Sequence, residues 1–354
     1  MTNPPGHAAP EAAPAGPDKK SEQKLRWGIL STAGIARRAF IPGVRNGTEG
    51  EVIAVASRNL AKAQQYAADL SIPHALGSYE ALLANPDVDA VYIPLPNGMH
   101  PDWTVRAAAA AKHVLCEKPV ARRRADAQRM ADACRTAGVV LMEAFMYRLH
   151  PQHRQVMDLI QAGEIGEPVF VRASFCFTMG EAKRAQGDHR LEPGQEGGGL
   201  MDVGCYAVNT ARYLFGAEPV EVSAQQRIDP RFGVDTAFAA VMRFPGDRLA
   251  VVDGSFDVSG TQRYEVAGPK GLIQVEKAYL PGAGPATITI AAGGQRRTAE
   301  SEAADQYALE ADHFARSVRA GKLLAPAEDG VAQAAVIEAL YESASSGRAV
   351  KLPQ

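Results

Sequence analysis

Lys118 is held between Glu117 and Pro119 at the end of the apolar run His113-Val114-Leu115-Cys116. Pro119 fixes its own φ and pushes the residue before it towards extended backbone. The apolar residues read as a buried parallel strand, and such strands deliver their C-terminal ends to a ligand crevice. A lysine held there sets a positive charge against a substrate oxygen and favours the ionised form of a nearby acid. The same segment also suits a lysine that merely snorkels from a strand end. Other residues have to decide between the two.

Two further stretches bear on nucleotide chemistry. Ser31-Thr32-Ala33-Gly34-Ile35-Ala36 stands where a dinucleotide fingerprint has G-x-G-x-x-G/A, with serine and alanine at the first two glycine positions. Small side chains still allow close backbone approach, and a helix N-terminus still offers free N–H groups to a pyrophosphate. An ordinary tight turn reads the same way. A later apolar run ends in Ser57-Arg58, where an NAD enzyme has a carboxylate for the ribose 2′-hydroxyl. A hydroxyl and a guanidinium there suit a 2′-phosphate, although a solvated arginine at a strand end is common.

The elements that position these groups alternate. Strands are predicted at 25–30, 51–56, 90–93, 113–116 and 139–142, with helices from Ile35 (with Pro42 ending or kinking the first), at 60–70, 79–83, 102–111 and 124–137. That alternation implies βαβ units and a parallel, doubly wound sheet with all strand C-termini on one edge. Beyond Tyr147 a helix at 152–162 is followed by strand-like stretches at 168–177, 220–228, 236–244, 249–258, 264–275 and 286–291. Turns such as Phe244-Pro245-Gly246-Asp247 give this part the grammar of an antiparallel sheet. A helix at 206–215 should lie between that sheet and the first domain. Helical spacing returns at Tyr307, Ala311, Phe314 and Val318, with Gly321 as a stop, and again from Val336 to Ala344.

The fold class expected is therefore α/β, a Rossmann-type parallel sheet followed by an α+β domain with a large open antiparallel sheet. The boundaries read as an arm at 1–24, rich in Ala, Pro and Gly, a dinucleotide-binding domain at 25–146, and a substrate and oligomerisation domain at 147–354. The last helices are free to pack back on the first domain. With 354 residues, a net charge of −2, 46% hydrophobic and 22% charged residues, the chain gives no electrostatic reason for a nucleic-acid or membrane partner. Cys116, Cys134, Cys176 and Cys205 form no C-x-x-C pair, so reduced thiols in a cytoplasmic protein, and no metal, are expected.

Three long segments carry a family resemblance that covers nearly the whole chain from Leu25. Ala90-Val91-Tyr92-Ile93-Pro94-Leu95-Pro96-Asn97-Gly98-Met99-His100, Lys112-His113-Val114-Leu115-Cys116-Glu117-Lys118-Pro119 and Gly197-Gly198-Gly199-Leu200-Met201-Asp202-Val203-Gly204-Cys205-Tyr206 resemble the signature segments of the glucose-fructose oxidoreductase/inositol dehydrogenase (Gfo/Idh/MocA) family. Tyr206, together with Glu143-Ala144-Phe145-Met146-Tyr147-Arg148, is similar to the branch of NADP-dependent xylose dehydrogenases, dihydrodiol dehydrogenases and glucose-fructose oxidoreductase itself.

The resemblance implies the Rossmann-plus-open-sheet fold, a cis peptide before Pro119, Lys118 near both nicotinamide and substrate, and Tyr206 as general acid/base. A tyrosine titrates near ~10, so the implied base needs the Lys118 ammonium to favour its phenolate. Asp202 lies one helical turn before Tyr206; it bonds a sugar hydroxyl, orients Lys118, or caps the helix. Ser31, Thr32, Ala33, Gly34, Ile35, Ser57, Arg58, Leu95, Pro96, Asn97, His100, Glu117 and Lys118 are implied on the cofactor side. An Asn-Gly turn with a surface histidine is the plainer account of Asn97 and His100. Arg148 and Arg190 are polyol-contact candidates, and Gly197-Gly198-Gly199 reads as structural.

The resulting expectation is an NADP-dependent dehydrogenase of a sugar or cyclic diol, with NAD the weaker cofactor. An aldose–ketose or aldose–aldose oxidoreductase that retains its NADP and a non-catalytic nucleotide sensor are the alternatives. A homodimer or homotetramer is also expected, joined through an open sheet face carrying, depending on register, residues such as Phe238, Ala240, Met242 and Val251, Asp253, Ser255.

Overall fold

The computed structural model describes residues 23–321, 323 and 326–353. The expected N-terminal arm lies outside them apart from Gln23 and Lys24. Strand β1 (Leu25–Leu30) is buried except at Arg26 and pairs in parallel with β2 (Gly50–Ala56) on one side and β4 (Ala90–Ile93) on the other. With β3 (His74–Leu76), β5 (His113–Glu117) and β6 (Leu141–Ala144) the order is β3-β2-β1-β4-β5-β6, every pair parallel. All four residues of β4 are buried, as a strand covered on both faces requires. The order reverses between β1 and β4, so the crevice opens at the ends of these strands.

The helix after β1 does not stop at Pro42. It runs from Gly34 to Asn46, with a π turn at Ala36–Phe40 leading into α1 (Ile41–Asn46). The Ile41 N–H bonds the Ala36 carbonyl, five residues back. The wide turn gives the proline ring room and carries the ladder past its missing N–H. The other helices of this layer are α2 (Leu60–Asp69), α3 (Tyr79–Leu83), α4 (His100–Ala109) and α5 (Arg124–Ala137). Asn59 caps α2 by accepting from the Lys62 N–H at 3.1 Å, and Gly138, at φ +68°, closes α5.

The second sheet has nine strands in the order β14-β13-β12-β11-β7-β10-β9-β8-β15. They are β7 (Phe170–Thr178), β8 (Glu221–Asp229), β9 (Val234–Phe244), β10 (Arg248–Ser255), β11 (Asp257–Gly268), β12 (Gly271–Val275), β13 (Thr287–Ala292), β14 (Gln295–Glu300) and β15 (Val350–Lys351). The stretch expected as one strand at 264–275 is folded over at Pro269-Lys270 into β11 and β12. One pair departs from the antiparallel expectation: β7 and β10 are parallel.

Between α6 (Pro151–Gln161) and the end of the chain, α7 (Glu181–Ala185) is a short surface turn and α8 (Cys205–Phe215) is the central helix. Helix α8 continues from a π turn at Leu200–Gly204 and is buried along nearly its whole length against β7, β10 and β11. Its entry is backbone on backbone: a Cβ added at Gly254 would lie 2.8 Å from the Gly204 nitrogen, and one at Gly204 only 2.0 Å from the Phe238 ring. Phe238, Ala240 and Met242 therefore face the helix and are buried, while Val241 and Val251 point to the opposite, uncovered face. The two sets named for an open face belong to opposite sides of the sheet, because Val251 pairs with Val241 and Ala250 with Met242.

The last helices return to the first sheet. Helix α9 (Gln306–Ala320) packs on α1, and Phe314 reaches the Trp27 ring at 5.0 Å between centroids. Helix α10 (Ala327–Ser346) lies against both α5 and β8.

Candidate active site

The strand ends of the first sheet face the second sheet across a cleft of about 550 Å³. Ala33, Gly34, Ile35, Pro94, Leu95, Asn97, Glu117 and Lys118 line it from one side, and Phe175, Phe177, Arg190, Asp202, Val203 and Tyr206 from the other. Strand β5 delivers Lys118, whose peptide bond to Pro119 is cis. The Lys118 Nζ donates to the Asp202 carbonyl oxygen at 2.7 Å and to Asp202 Oδ1 at 3.1 Å. Asp202 Oδ2 accepts from Arg190 Nε at 2.7 Å. Burial pushes the Asp202 carboxyl up, but Lys118 and Arg190 outweigh it and hold it at about 2. Burial pulls the lysine down, and Asp202 more than offsets this, so its pKa is raised. Both groups stay ionised, and Asp202 is no proton acceptor at neutral pH.

Of the three roles open to Asp202, orientation of Lys118 is the one seen, and capping is done by another residue. Asp235 Oδ2 accepts from the Leu200 N–H at 2.7 Å at the start of this helix. Tyr206, one turn on from Asp202, directs its hydroxyl to Met146 Sδ at 3.6 Å. The Lys118 Nζ stands 5.0 Å from the centre of the Tyr206 ring, not at its oxygen. Burial raises the phenol well above 10. Lys118 faces the ring and bonds Asp202, so burial, not the ammonium, sets the direction in which this phenol is shifted.

The nucleotide end can be tested on the first turn. Ser31 adopts φ +126°, backbone that glycine takes freely and serine does not, so the turn keeps the glycine geometry without the glycine. Gly34 is exposed, and a Cβ there would lie nearest the Arg38 guanidinium, at 2.7 Å. The Tyr66 hydroxyl pins the turn by donating to the Ala33 carbonyl at 3.1 Å. Arg58 is exposed at the end of β2 beside Tyr79, while Ser57 is buried with its Oγ accepting from the Asn59 N–H at 3.2 Å. A bare backbone loop, a helix start and an arginine at the second strand fit a phosphorylated dinucleotide. Ser31, Thr32, Ser57, Arg58 and Pro96 lie along this edge but do not line the main cleft.

Comparison with known proteins agrees with this geometry. Residues 25–145 match an oxidoreductase family with an NAD-binding Rossmann fold, and residues 153–274 match the GFO/IDH/MocA C-terminal domain. The chain belongs to the GFO/IDH/MocA oxidoreductase family. It is 41% identical over 93% of its length to D-xylose 1-dehydrogenase (NADP(+)) 2 of Haloferax volcanii, all of which is covered. It is 36% identical to the trans-1,2-dihydrobenzene-1,2-diol dehydrogenase of Mus musculus, over 73% of this chain and 76% of that one. The crystal structure of the aldose-aldose oxidoreductase from Caulobacter crescentus complexed with glycerol superposes with a TM-score of 0.86 at 33% identity, covering 93% of this chain and all of that one.

Within this GFO/IDH/MocA site two expected residues are misplaced. His100 is fully buried, with Nδ1 3.0 Å from the Pro119 carbonyl oxygen and Nε2 2.8 Å from that of Leu95. It ties the two cleft loops together from behind and offers nothing to a ligand. Arg148 donates to Asp329 at 2.7 Å beside Tyr213, in a separate depression, so it is no substrate contact. Asn97 lines the cleft, but its Nδ2 donates to the Glu196 carbonyl at 2.9 Å. Glu117 accepts from the Tyr92 hydroxyl and the Lys118 N–H, and burial raises its carboxyl.

Several lining residues have no role in the sequence reading. Phe175 and Phe177 share the inner face of β7, a signal available in their two-residue spacing. Arg38 lies one turn beyond Gly34, also a readable spacing. Lys183, His189 and Tyr307 come from segments whose approach to the cleft only tertiary structure reveals.

The strained turn yields a prediction. Serine at a positive φ costs about 1–3 kcal/mol, and glycine returns about 0.5–1 through unfolded-chain entropy. Ser31→Gly should therefore stabilise the cofactor-free protein by about 1 kcal/mol, read as a higher Tm. A lower Tm would mean that the serine side chain contributes more than its backbone costs.

Proposed function

We propose that this chain is an NADP-dependent oxidoreductase that oxidises a CH–OH group of an aldose or cyclic diol, or reduces the corresponding carbonyl, with Lys118, Asp202 and Tyr206 as its catalytic side chains. The observation that carries the reading is that Lys118, at the end of a strand of the first sheet, and Tyr206, on the helix packed against the second, meet at a single cleft, with Asp202 fixed on the lysine. Family membership and an NADP-dependent relative support the cofactor. A sensor of nucleotides would need neither side chain.

Ala33, Gly34, Ile35 and the helix that follows would hold the pyrophosphate, Ser57 and Arg58 the 2′-phosphate, and Leu95, Asn97, Glu117 and Lys118 the nicotinamide end. When bound, the nicotinamide supplies hydride exchange at carbon. Everything else falls to the protein. Tyr206 takes the proton of the substrate hydroxyl in oxidation and returns one in reduction. Lys118 sets its ammonium against the same oxygen and stabilises charge as it develops there. Asp202 keeps the lysine aimed and charged. Phe175 and Phe177 give the ring of a sugar or diol an apolar wall.

Similarity to the aldose-aldose oxidoreductase favours one second reading, in which NADP stays bound and one aldose is oxidised as another is reduced. Incubation with NADP and D-xylose, D-glucose, L-arabinose or a trans-cyclohexadienediol separates the two. Accumulating NADPH marks the dehydrogenase; paired lactone and alditol without free NADPH mark the alternative. We further propose a two-domain division near residue 146, supported by the two separate sheets, and a cytoplasmic location, supported by four separate, buried thiols.

Tyr206→Phe should lower kcat at least ~100-fold with little change in NADP affinity. Because burial holds this phenol well above 10, the ionised fraction below that point grows tenfold per pH unit. Oxidation should therefore accelerate as pH rises through neutrality, while reduction, which uses the protonated phenol, should stay flat. An oxidation rate that is level from pH 6 to 9 would identify a different base.

Arg58→Ala should weaken NADP by about 1.5–3 kcal/mol and leave NAD unchanged, as for one lost charge-assisted hydrogen bond. Equal losses for both in fluorescence titrations would separate Arg58 from the 2′-phosphate.

The uncovered face of the second sheet, with Val241 and Val251 exposed, supports a homodimer or tetramer formed sheet to sheet. Sedimentation at low micromolar concentration should give a species at least twice 37.6 kDa. A single monomer-sized boundary would exclude it.

A further inference from the structure

The charged side chains on one wall of the cleft form a single alternating row. Lys183 Nζ, half exposed on α7, lies 3.3 Å from Asp188 Oδ2. Arg190 Nη1 donates to both Asp188 oxygens at 3.2 Å. Arg190 Nε donates to Asp202 Oδ2 at 2.7 Å, and Lys118 Nζ to Asp202 Oδ1 at 3.1 Å. The row starts at the surface and ends on the buried lysine. Asp188 has a second hold on the same partner, because its Oδ1 accepts from the Arg190 N–H at 3.0 Å. Its side chain is only 8% exposed, and it does not line the cleft.

A carboxylate facing a single cation can turn both oxygens onto it. Asp202 is prevented from this by Arg190, which occupies Oδ2 and leaves Oδ1 and the main-chain carbonyl to the lysine. Arg190 itself is 28% exposed, so its side chain has water as an alternative to Asp202. Asp188 removes that freedom by gripping the far end of the guanidinium. Burial pushes the Asp188 carboxyl up, yet its bonds from Arg190 hold it below the ordinary carboxylate range, so the grip is ionic at neutral pH.

We propose that Asp188 is a positioning residue for the reaction: by fixing Arg190 on one oxygen of Asp202 it keeps Lys118 from collapsing into a two-oxygen pair and leaves its ammonium aimed at the substrate oxygen. This rests on the catalytic reading of Lys118 and Asp202 above. It extends the working site from the cleft to the 181–191 segment, which touches no reacting atom through Asp188.

Asp188→Asn tests it, since asparagine keeps an acceptor for the Arg190 N–H and removes only the charge. With NADP and the panel substrate of highest turnover, kcat should fall roughly 10- to 100-fold, as for a displaced catalytic group. NADPH affinity by fluorescence titration should stay within about twofold, and Asp188→Glu should recover part of the loss. In an Asp202→Asn background the same change should have no further effect on kcat, because the residue through which Asp188 acts has lost its charge. An unchanged kcat for Asp188→Asn, or the same fold-loss in both backgrounds, overturns the proposal. A fall in kcat matched by weaker NADPH binding and a lower urea midpoint marks a merely structural role and also overturns it. If Asp202→Asn itself leaves turnover intact, it is the catalytic reading that fails, and the two failures are told apart.

Discussion

The ion pair between Lys118 and Asp202 joins the end of a first-sheet strand to the helical turn that leads into α8, across 84 positions of sequence, and is the contact on which the rest of the site depends. Both side chains are largely buried, at 13% and 15% exposure. Removing two charges from water is offset only when every remaining donor and acceptor finds a partner, and stripping one member of such a pair costs roughly 3–5 kcal/mol. The surrounding fold supplies part of that: Arg190 satisfies the second oxygen of Asp202. The helix carrying Asp202 has to begin close beneath the cleft, and Gly197-Gly198-Gly199 permits it. A Cβ on Gly198, at φ +136°, would lie 2.1 Å from Asp235 Oδ1. Asp235 then ties the helix start to α10, accepting from the Leu200 N–H and from the Tyr341 hydroxyl at 2.9 Å. A helix near the end of the chain thus helps to hold a carboxylate that orients a lysine of the first sheet.

Tyr206 is held by a different kind of force. The rings of Phe145, Phe175, Tyr147 and Tyr279 surround it with centroids 5.1–5.8 Å away. Aromatic packing fixes the ring without consuming its hydroxyl. That hydroxyl points to the thioether of Met146, a weak acceptor, so it remains available to a stronger partner in the cleft. Polar contacts orient the lysine; apolar contacts orient the tyrosine.

Much of this architecture was legible in the chain. The bounds of α3, α5 and β4 coincide with the periodic stretches that predicted them, because buried strands and amphipathic helices write their burial into residue type. Strand β14 left no such trace, since its residues Gln295–Glu300 are almost all exposed at a sheet edge. The parallel pairing of β7 with β10 was hidden for another reason: pairing direction depends on topology between strands, not on either strand's pattern. In the candidate site, Lys118 stood out because Pro119 constrains it, whereas Asp202 and Tyr206 were singled out by the family resemblance; the fold brings the three to one cleft. His100 and Arg148 were misread because a polar side chain in a signature segment satisfies the backbone of a loop as readily as it satisfies a ligand. The buried His100 ring stands between two main-chain carbonyl oxygens, and Arg148 bonds an aspartate from α10. Sequence names the donor. Only the fold decides which acceptor arrives.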